Sequence, residues 1–235
     1  MGIKLGTLDI TFKIGSADTT VYLGDTMIQS GDTPTPPTPR LPSGYTEVEY
    51  VENTGNSSVN LGIQLMANAN DSFSIEYNRT MTYTRGWGDL QTMLTCCKEV
   101  SPYPGWYERF HNNGANLQID GWFGGSSSSP TLTTGVTQVS GDVYHTSISL
   151  ATTPSNATHN YPLNLFSSLD SNQQPWRFCK GKVYADMTVI YNGNQVRFLI
   201  PCTRDSDSVA GLYDLVNDVF YSSVTNTPLV AGDPV

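Results

Sequence analysis

Charge is scarce in this chain. Only 14% of its 235 residues are charged, and 12 Lys and Arg face 21 Asp and Glu, for a formal net charge of −9. The basic residues are scattered, whereas binding a phosphate backbone requires concentrated positive charge, so nucleic acid is excluded as a direct partner. An acidic balance of this size favours solubility and disfavours anionic surfaces. No window approaches the ~20 consecutive apolar residues that span a bilayer, so no membrane insertion is expected. Met1 to Gly31 alternates apolar and polar residues without a continuous apolar core, the pattern of strands rather than of a signal peptide. Cysteine is limited to Cys96, Cys97, Cys179 and Cys202. The first two are vicinal and cannot bridge without strain, and no pair has the spacing of a zinc site. Free buried thiols are expected, which suits assembly in a reducing cytoplasm.

Catalytic signatures are missing too. The chain has no H-E-x-x-H, no G-x-S-x-G and no phosphate loop, and His111, His145 and His159 are isolated from one another and from cysteine. Glu47-Val48-Glu49-Tyr50-Val51-Glu52 has the spacing E-x-E-x-x-E, close to the E-x-D-x-x-E of retaining glycosidases, whose two carboxyl groups sit about 5 Å apart. In a regular strand, however, Glu52 faces away from Glu47 and Glu49. A solvated strand face is the expectation there, with no catalytic residue, no cofactor and no enzyme activity.

What the chain does contain is turn-rich β sequence. Gly, Ser, Thr, Asn, Tyr and Pro are plentiful, aromatics make up 11%, and helical periodicity is almost absent. Short alternating segments recur about every ten residues, as in a sandwich or jelly roll. Strands are expected at Glu47 to Val51, Ser58 to Ile63, Asp71 to Tyr77, Gln91 to Cys97, Trp106 to Phe110, Asn116 to Trp122 and Val143 to Leu150. Gly124 to Pro130 and Ala151 to Pro162 read as loops. The most emphatic signal is Asn192-Gly193-Asn194 between Val183–Tyr191 and Gln195–Cys202, a hairpin with apolar residues on both faces. Gly211–Asp214 and Val219–Tyr221 follow as returning strands.

Three domains of unequal size emerge. Residues 1–31 contain short strands around Leu8, Ile10, Phe12 and Ile14 and around Val21, Leu23, Met27 and Ile28. So few strands bury too little surface to be stable alone, which points to a unit that docks on a partner or oligomerises. Residues 32–43 form a linker, and DTPTPPTPR within it has four prolines in nine residues. Such a segment favours polyproline II, stiff at about 3.1 Å per residue, and spaces its neighbours by roughly 25 to 30 Å. Residues 44–235 are the third, principal domain.

The segments FLIPC and SDSVAGLYDLVNDVFY near the C-terminus, together with LPSGYTEVEYVENTGNSSVNLGI at Leu41 to Ile63, resemble the two ends of laminin-G-like, concanavalin-A-like jelly-roll domains. Such domains occur in virion structural proteins of tailed bacteriophages and prophages, crAss-like phages included. The resemblance spans roughly residues 41 to 235. It implies a jelly-roll sandwich behind a small N-terminal β anchor, in a head fibre or capsid decoration located in the virion. A tail fibre or carbohydrate-binding adhesin is the alternative. It further implies attachment to other virion proteins through residues 1–31, homo-oligomerisation as a dimer or trimer, and host surface glycan as a second partner. Many sandwiches of this type bind calcium through loop carboxylates, which makes Asp205, Asp207, Asp214 and Asp218 candidates. Asp is also the ordinary turn residue. For glycan stacking the candidates are Trp87, Trp106 and Trp122, in a Gly/Pro-rich region where core packing explains aromatics equally well.

Overall fold

The computed structural model describes residues 2–5, 8–11, 21–23, 26–29, 39–65, 70–82, 90–96, 105–110, 117–122, 133–140, 142–150 and 161–235. The chain divides into two compact units, Met1–Arg40 and Leu41–Val235. No helix occurs among the described residues, and every ladder between strands is antiparallel.

The smaller unit holds β1 (Gly2–Leu5) paired with β2 (Leu8–Thr11), and β3 (Val21–Leu23) paired with β4 (Thr26–Gln29). These are two separate two-stranded sheets. The strand at Gly2–Leu5 was not anticipated from the sequence.

The larger unit opens with β5 (Tyr45–Glu47), β6 (Tyr50–Asn53) and β7 (Val59–Asn60), followed by β8 (Phe73–Thr82), β9 (Gln91–Thr95), β10 (Gly105–Phe110) and β11 (Leu117–Trp122). The middle contains β12 (Thr133–Ser140), β13 (Val143–Leu150) and three two-residue strands, β14 (Asn164–Leu165), β15 (Ser168–Leu169) and β16 (Pro175–Trp176). It ends with β17 (Lys180–Tyr191), β18 (Asn194–Arg204), β19 (Val209–Asp214), β20 (Val219–Ser222) and β21 (Val230–Ala231). One sheet runs β11-β10-β9-β14-β7. The other runs β12-β13-β8-β17-β18-β19-β20, with β5, β6 and β21 joined at its side, and β15 pairs β16 separately.

Both large sheets contribute to one core, as in a β-sandwich. Phe73, Ile75, Tyr77, Ile148, Leu150, Val183, Met187 and Val189 come from the larger sheet, and Val59, Met93, Leu94, Trp106 and Leu165 from the smaller. Strand periodicity explains the selection. Along β8 the buried residues are Phe73, Ile75, Tyr77 and Arg79, every second position. Its neighbour β13 sets Ile148 beside Ile75 and Thr146 beside Tyr77, so the inward rows coincide. All five residues of β9 are buried, marking it as a strand covered on both faces.

The Asn-Gly hairpin forms as a two-residue loop with Tyr191 opposite Asn194. Asn192 and Gly193 have φ of 50° and 77°, the positive pair of a type I′ turn, which matches strand twist. The turn is held by its surroundings as well. Asn192 N–H donates to the Ser72 carbonyl at 2.8 Å, Ser72 N–H donates to Asn192 Oδ1 at 2.7 Å, and Asn192 Nδ2 donates to Asp71 Oδ1 at 2.9 Å.

Two expectations for this hairpin change. First, β17 is not regular: Ala185 has φ of 43° and the register against β8 shifts between Tyr184 and Thr188. On its other edge β17 pairs with β6 before this bulge and with β18 after it. The bulge is where the strand exchanges partners, a common use of such irregularities. Second, β17 has only one core face, whereas β18 is buried on both faces from Leu199 to Cys202. Val183, Met187 and Val189 are buried, but Ala185 and Ile190 are exposed and Tyr184, Asp186 and Thr188 are half-buried.

The outer face of β18 and β19 carries a second small cluster of Leu41, Ile200, Cys202 and Tyr213, flanked by Tyr45, Phe198, Leu215 and Phe220. The Tyr45 and Tyr213 rings lie 4.6 Å apart. Leu41 is thus already part of the larger unit's packing. Gly211 makes the close approach of β19 to β20 possible, since a Cβ there would lie 2.3 Å from the Tyr221 carbonyl oxygen and 2.6 Å from the Phe220 ring. Gly211→Ala is expected to destabilise the protein by about 3 kcal/mol through overpacking, read as a lowered urea midpoint.

Candidate functional site

Residues named from the sequence are placed in very different environments. Glu47 and Glu52 lie on separate strands, β5 and β6, with Val48 buried between them and its N–H bonded to the Pro201 carbonyl at 3.0 Å. Glu52 faces Lys182 on β17 at 3.8 Å. The three carboxylates therefore do not share one strand. His145 lies on β13 with Nδ1 3.3 Å from Asn78 Oδ1 on the adjacent strand; His111 and His159 lie outside the described residues. Cys96, Cys179 and Cys202 are buried free thiols, and Cys97 lies outside the described residues.

The aspartates do not converge. Asp205 and Asp207 occupy the turn before β19, Asp214 ends that strand and Asp218 lies in the turn after it. A six-residue strand holds its two ends about 17 Å apart. Each of the first three is moreover engaged in a turn. Asp205 Oδ1 accepts from Thr46 Oγ1 at 2.8 Å. Asp207 takes two bonds from Arg204, at 3.0 and 2.6 Å, and Arg204 holds its carboxyl below the usual range. Buried Asp214 accepts from the N–H groups of Phe198 and Val216 at 3.1 and 3.0 Å and from Asn217 Nδ2 at 2.8 Å, with Arg197 Nε 3.4 Å away. Among the described residues no group of three or more His, Cys, Asp or Glu is arranged to hold a metal ion. Asp205, Asp207 and Asp214 are thus fasteners of two hairpins.

Trp106 is likewise a core residue. It is fully buried and stacks on Phe73 of the facing sheet with centroids 5.1 Å apart, leaving no ring face for a sugar. Trp87 and the side chain of Trp122 lie outside the described residues.

A different region has the character of a binding site. Two adjoining surface cavities, of about 480 and 230 Å³, share Asn60, Pro162 and Gln173. Gly62, Ile63 and Gln64 complete the first; Asn164, Leu169, Gln174, Pro175 and Val224 complete the second. The walls combine amides with apolar patches and, among the described residues, include no charged side chain.

Local structure positions each wall. The stretch after β7 runs antiparallel to residue 163 through Leu61 N–H to the Leu163 carbonyl at 2.9 Å and Leu163 N–H to the Ile63 carbonyl at 2.8 Å. Arg197 buttresses it from β18, donating from Nε to the Leu61 carbonyl at 3.0 Å and from Nη2 to the Gly62 carbonyl at 3.2 Å. Because Asp214 orients Arg197, Asp214→Ala is expected to cost about 3 kcal/mol by leaving buried donors and a cation unmatched, measurable as a loss of unfolding free energy in urea. On the opposite wall, Asp170 Oδ1 accepts from the N–H groups of Asn172 and Gln174, both at 2.8 Å. That turn presents Gln173 with φ of 60°.

Asn164 differs from the other amides. It is 1% exposed, its Nδ2 donates to the Pro162 carbonyl at 2.8 Å, and its Oδ1 has no hydrogen-bond partner. Asn60 has the reverse polarity: its Oδ1 accepts from Gly62 N–H at 2.8 Å, which leaves its NH₂ as a donor at the cavity wall. No spacing rule in the sequence would have selected these amides. Compared with protein-family models, curated proteins and solved structures, the chain matches none, so its functional reading rests on this geometry and on the residues themselves.

Proposed function

We propose that the protein is a non-enzymatic structural component of a bacteriophage virion, a head fibre or capsid decoration. In this reading residues 1–31 dock on other virion proteins, the proline-rich segment acts as a spacer, and the larger unit is a jelly roll displayed outward. The observation that supports it most is the division of the chain at Arg40 into a large unit with its own core and a small one made of two two-stranded sheets. Isolated two-stranded sheets are marginal in water and gain stability by docking. Homo-oligomerisation belongs to the same proposal, since fibres are commonly symmetric and a small anchor needs neighbours.

Co-sedimentation with particles lacking the protein tests it. The full chain is expected to bind and a chain without residues 1–40 to remain in the supernatant, while keeping its thermal transition. Equal binding of the two would refute an N-terminal anchor. A second reading, recognition of host glycans by the displayed unit, is favoured by the amide-lined cavities beside Asn60 and Asn164.

A further inference from the structure

We infer that residues 41–46 form a strap that detaches while the sandwich stays folded, uncovering an apolar face and the Cys202 thiol beneath it. Strand periodicity prepares that face. Along β18, Leu199 packs in the main core, whereas Ile200 and Cys202 pack in the second cluster on the outer side of the sheet. The outer side of an antiparallel sheet is ordinarily solvated, yet Ile200 and Cys202 are both 0% exposed. Part of their cover is Tyr213 of the sheet itself. The rest comes from the stretch running into and through β5: Leu41 joins the cluster, and the Tyr45 ring lies 4.6 Å from that of Tyr213 and 5.4 Å from that of Phe220.

The strap is held only at the surface. Pro42, Ser43, Gly44 and Thr46 are exposed. The Gly44 carbonyl accepts from Asp205 N–H at 3.0 Å, and Thr46 Oγ1 donates to Asp205 Oδ1 at 2.8 Å. Its ladder with β18 consists of Tyr45 opposite Arg204 and Thr46 opposite Thr203. The next two residues are fixed more firmly. Glu47 pairs with Cys202, and its carbonyl also accepts from Val235 N–H at 3.1 Å. Val48 belongs to the main core, with its N–H bonded to the Pro201 carbonyl. Peeling that starts at Leu41 therefore stops at Glu47. A segment with few buried apolar contacts and exposed backbone hydrogen bonds opens at a lower free energy than the whole fold. A pull through the proline-rich spacer reaches Leu41 first, and opening lengthens the tether by up to about 20 Å without unfolding the larger unit. Only this last consequence rests on the capsid-decoration reading.

Pulse alkylation of the full chain with N-ethylmaleimide, followed by peptide mapping, tests the strap without any particle. Cys179, fully buried in the main core, serves as the reporter of sandwich unfolding. Cys202 is expected to react at least about tenfold faster than Cys179, because only the strap has to open. Leu41→Ala is expected to raise the Cys202 rate by about thirtyfold. Leu150→Ala deletes core volume on β13, which does not pair with β18. It is expected to accelerate Cys179 and leave Cys202 unchanged, and Ile148→Val replaces it if the larger deletion prevents folding. A Cys202 rate no faster than that of Cys179, or one raised by the β13 substitution, would overturn the strap. So would a fast rate indifferent to Leu41→Ala. None of these outcomes touches the N-terminal anchor, which co-sedimentation decides.

Discussion

Glu108→Ala is expected to remove about 3–5 kcal/mol of stability, the cost of leaving a buried cation without its partner. Glu108 on β10 accepts from Arg79 Nε on β8 at 2.8 Å and from the Tyr77 hydroxyl, also on β8. The Arg79 and Glu108 side chains are 3% and 0% exposed. Since β8 and β10 belong to different sheets, the cluster ties the two layers together through buried charge. Removing the carboxylate strands the guanidinium and deprives the tyrosine of its acceptor. The triple variant Tyr77→Phe, Arg79→Met, Glu108→Leu is expected to regain most of the loss, because an apolar replacement of similar volume leaves nothing unmatched. Urea midpoints of the two variants decide the matter. A loss below about 1 kcal/mol for Glu108→Ala would show that the cluster is solvated.

Alkaline solution is expected to unfold the protein steeply. Burial raises the thiols of Cys96 and Cys202 from 9.0 to about 12 and raises Cys179 still further. Burial, reinforced by the Glu108 charge, also pushes the Tyr77 phenol well above 10.0. Each of these acids has a folded-state pKa above its unfolded one. Their contribution is therefore intact below pH 9, and it falls as the unfolded chain releases protons that the folded chain retains. Each thiol lowers stability by about 1.4 kcal/mol per pH unit in this window. Cys96 and Cys179 together account for about 5 kcal/mol between pH 9 and pH 11, comparable with the whole stability of many domains. Tyr77 adds to the slope from pH 10 upward. Denaturant titrations at half-unit steps from pH 8 to 11 measure the effect, and Cys96→Ala with Cys179→Ala should flatten it. A flat profile in the native chain would mean that the thiols are accessible to solvent.

Much of the β organisation was legible because it is local. Asn192-Gly193 needs two positive φ values in succession, and few other dipeptides tolerate them, so the hairpin follows from two residues. Alternation at Phe73, Ile75 and Tyr77 reports a half-buried strand for an equally local reason. The strands β12, β14, β15, β16 and β21 were not foreseen. Four of them are two residues long, too short for any period to register, and they exist only because a neighbouring strand offers hydrogen bonds.

The candidate sites were less legible. Asp205, Asp207, Asp214 and Asp218 are close in sequence, but an intervening strand keeps the two turns apart. Trp106 sits in a Gly/Pro-rich stretch where sugar stacking and core packing explain an aromatic equally well, and the facing Phe73 shows it to be core. The amide-lined cavity draws on residues 60–64, 162–175 and 224, and each contributor alone is an ordinary Asn, Gln or Pro.

By itself the amino-acid order determined an all-β chain, the Asn-Gly hairpin and the proline-rich boundary after a small N-terminal unit, because φ preferences and alternation act between neighbours in the chain. Only the tertiary structure decided which strands share a sheet, where β17 changes partner, which aspartates fasten turns and which amide lacks a partner. Those outcomes depend on burial and on hydrogen bonds between segments far apart in the chain, such as Arg197 with Leu61 and Asn192 with Asp71, and composition at any one position carries no record of them.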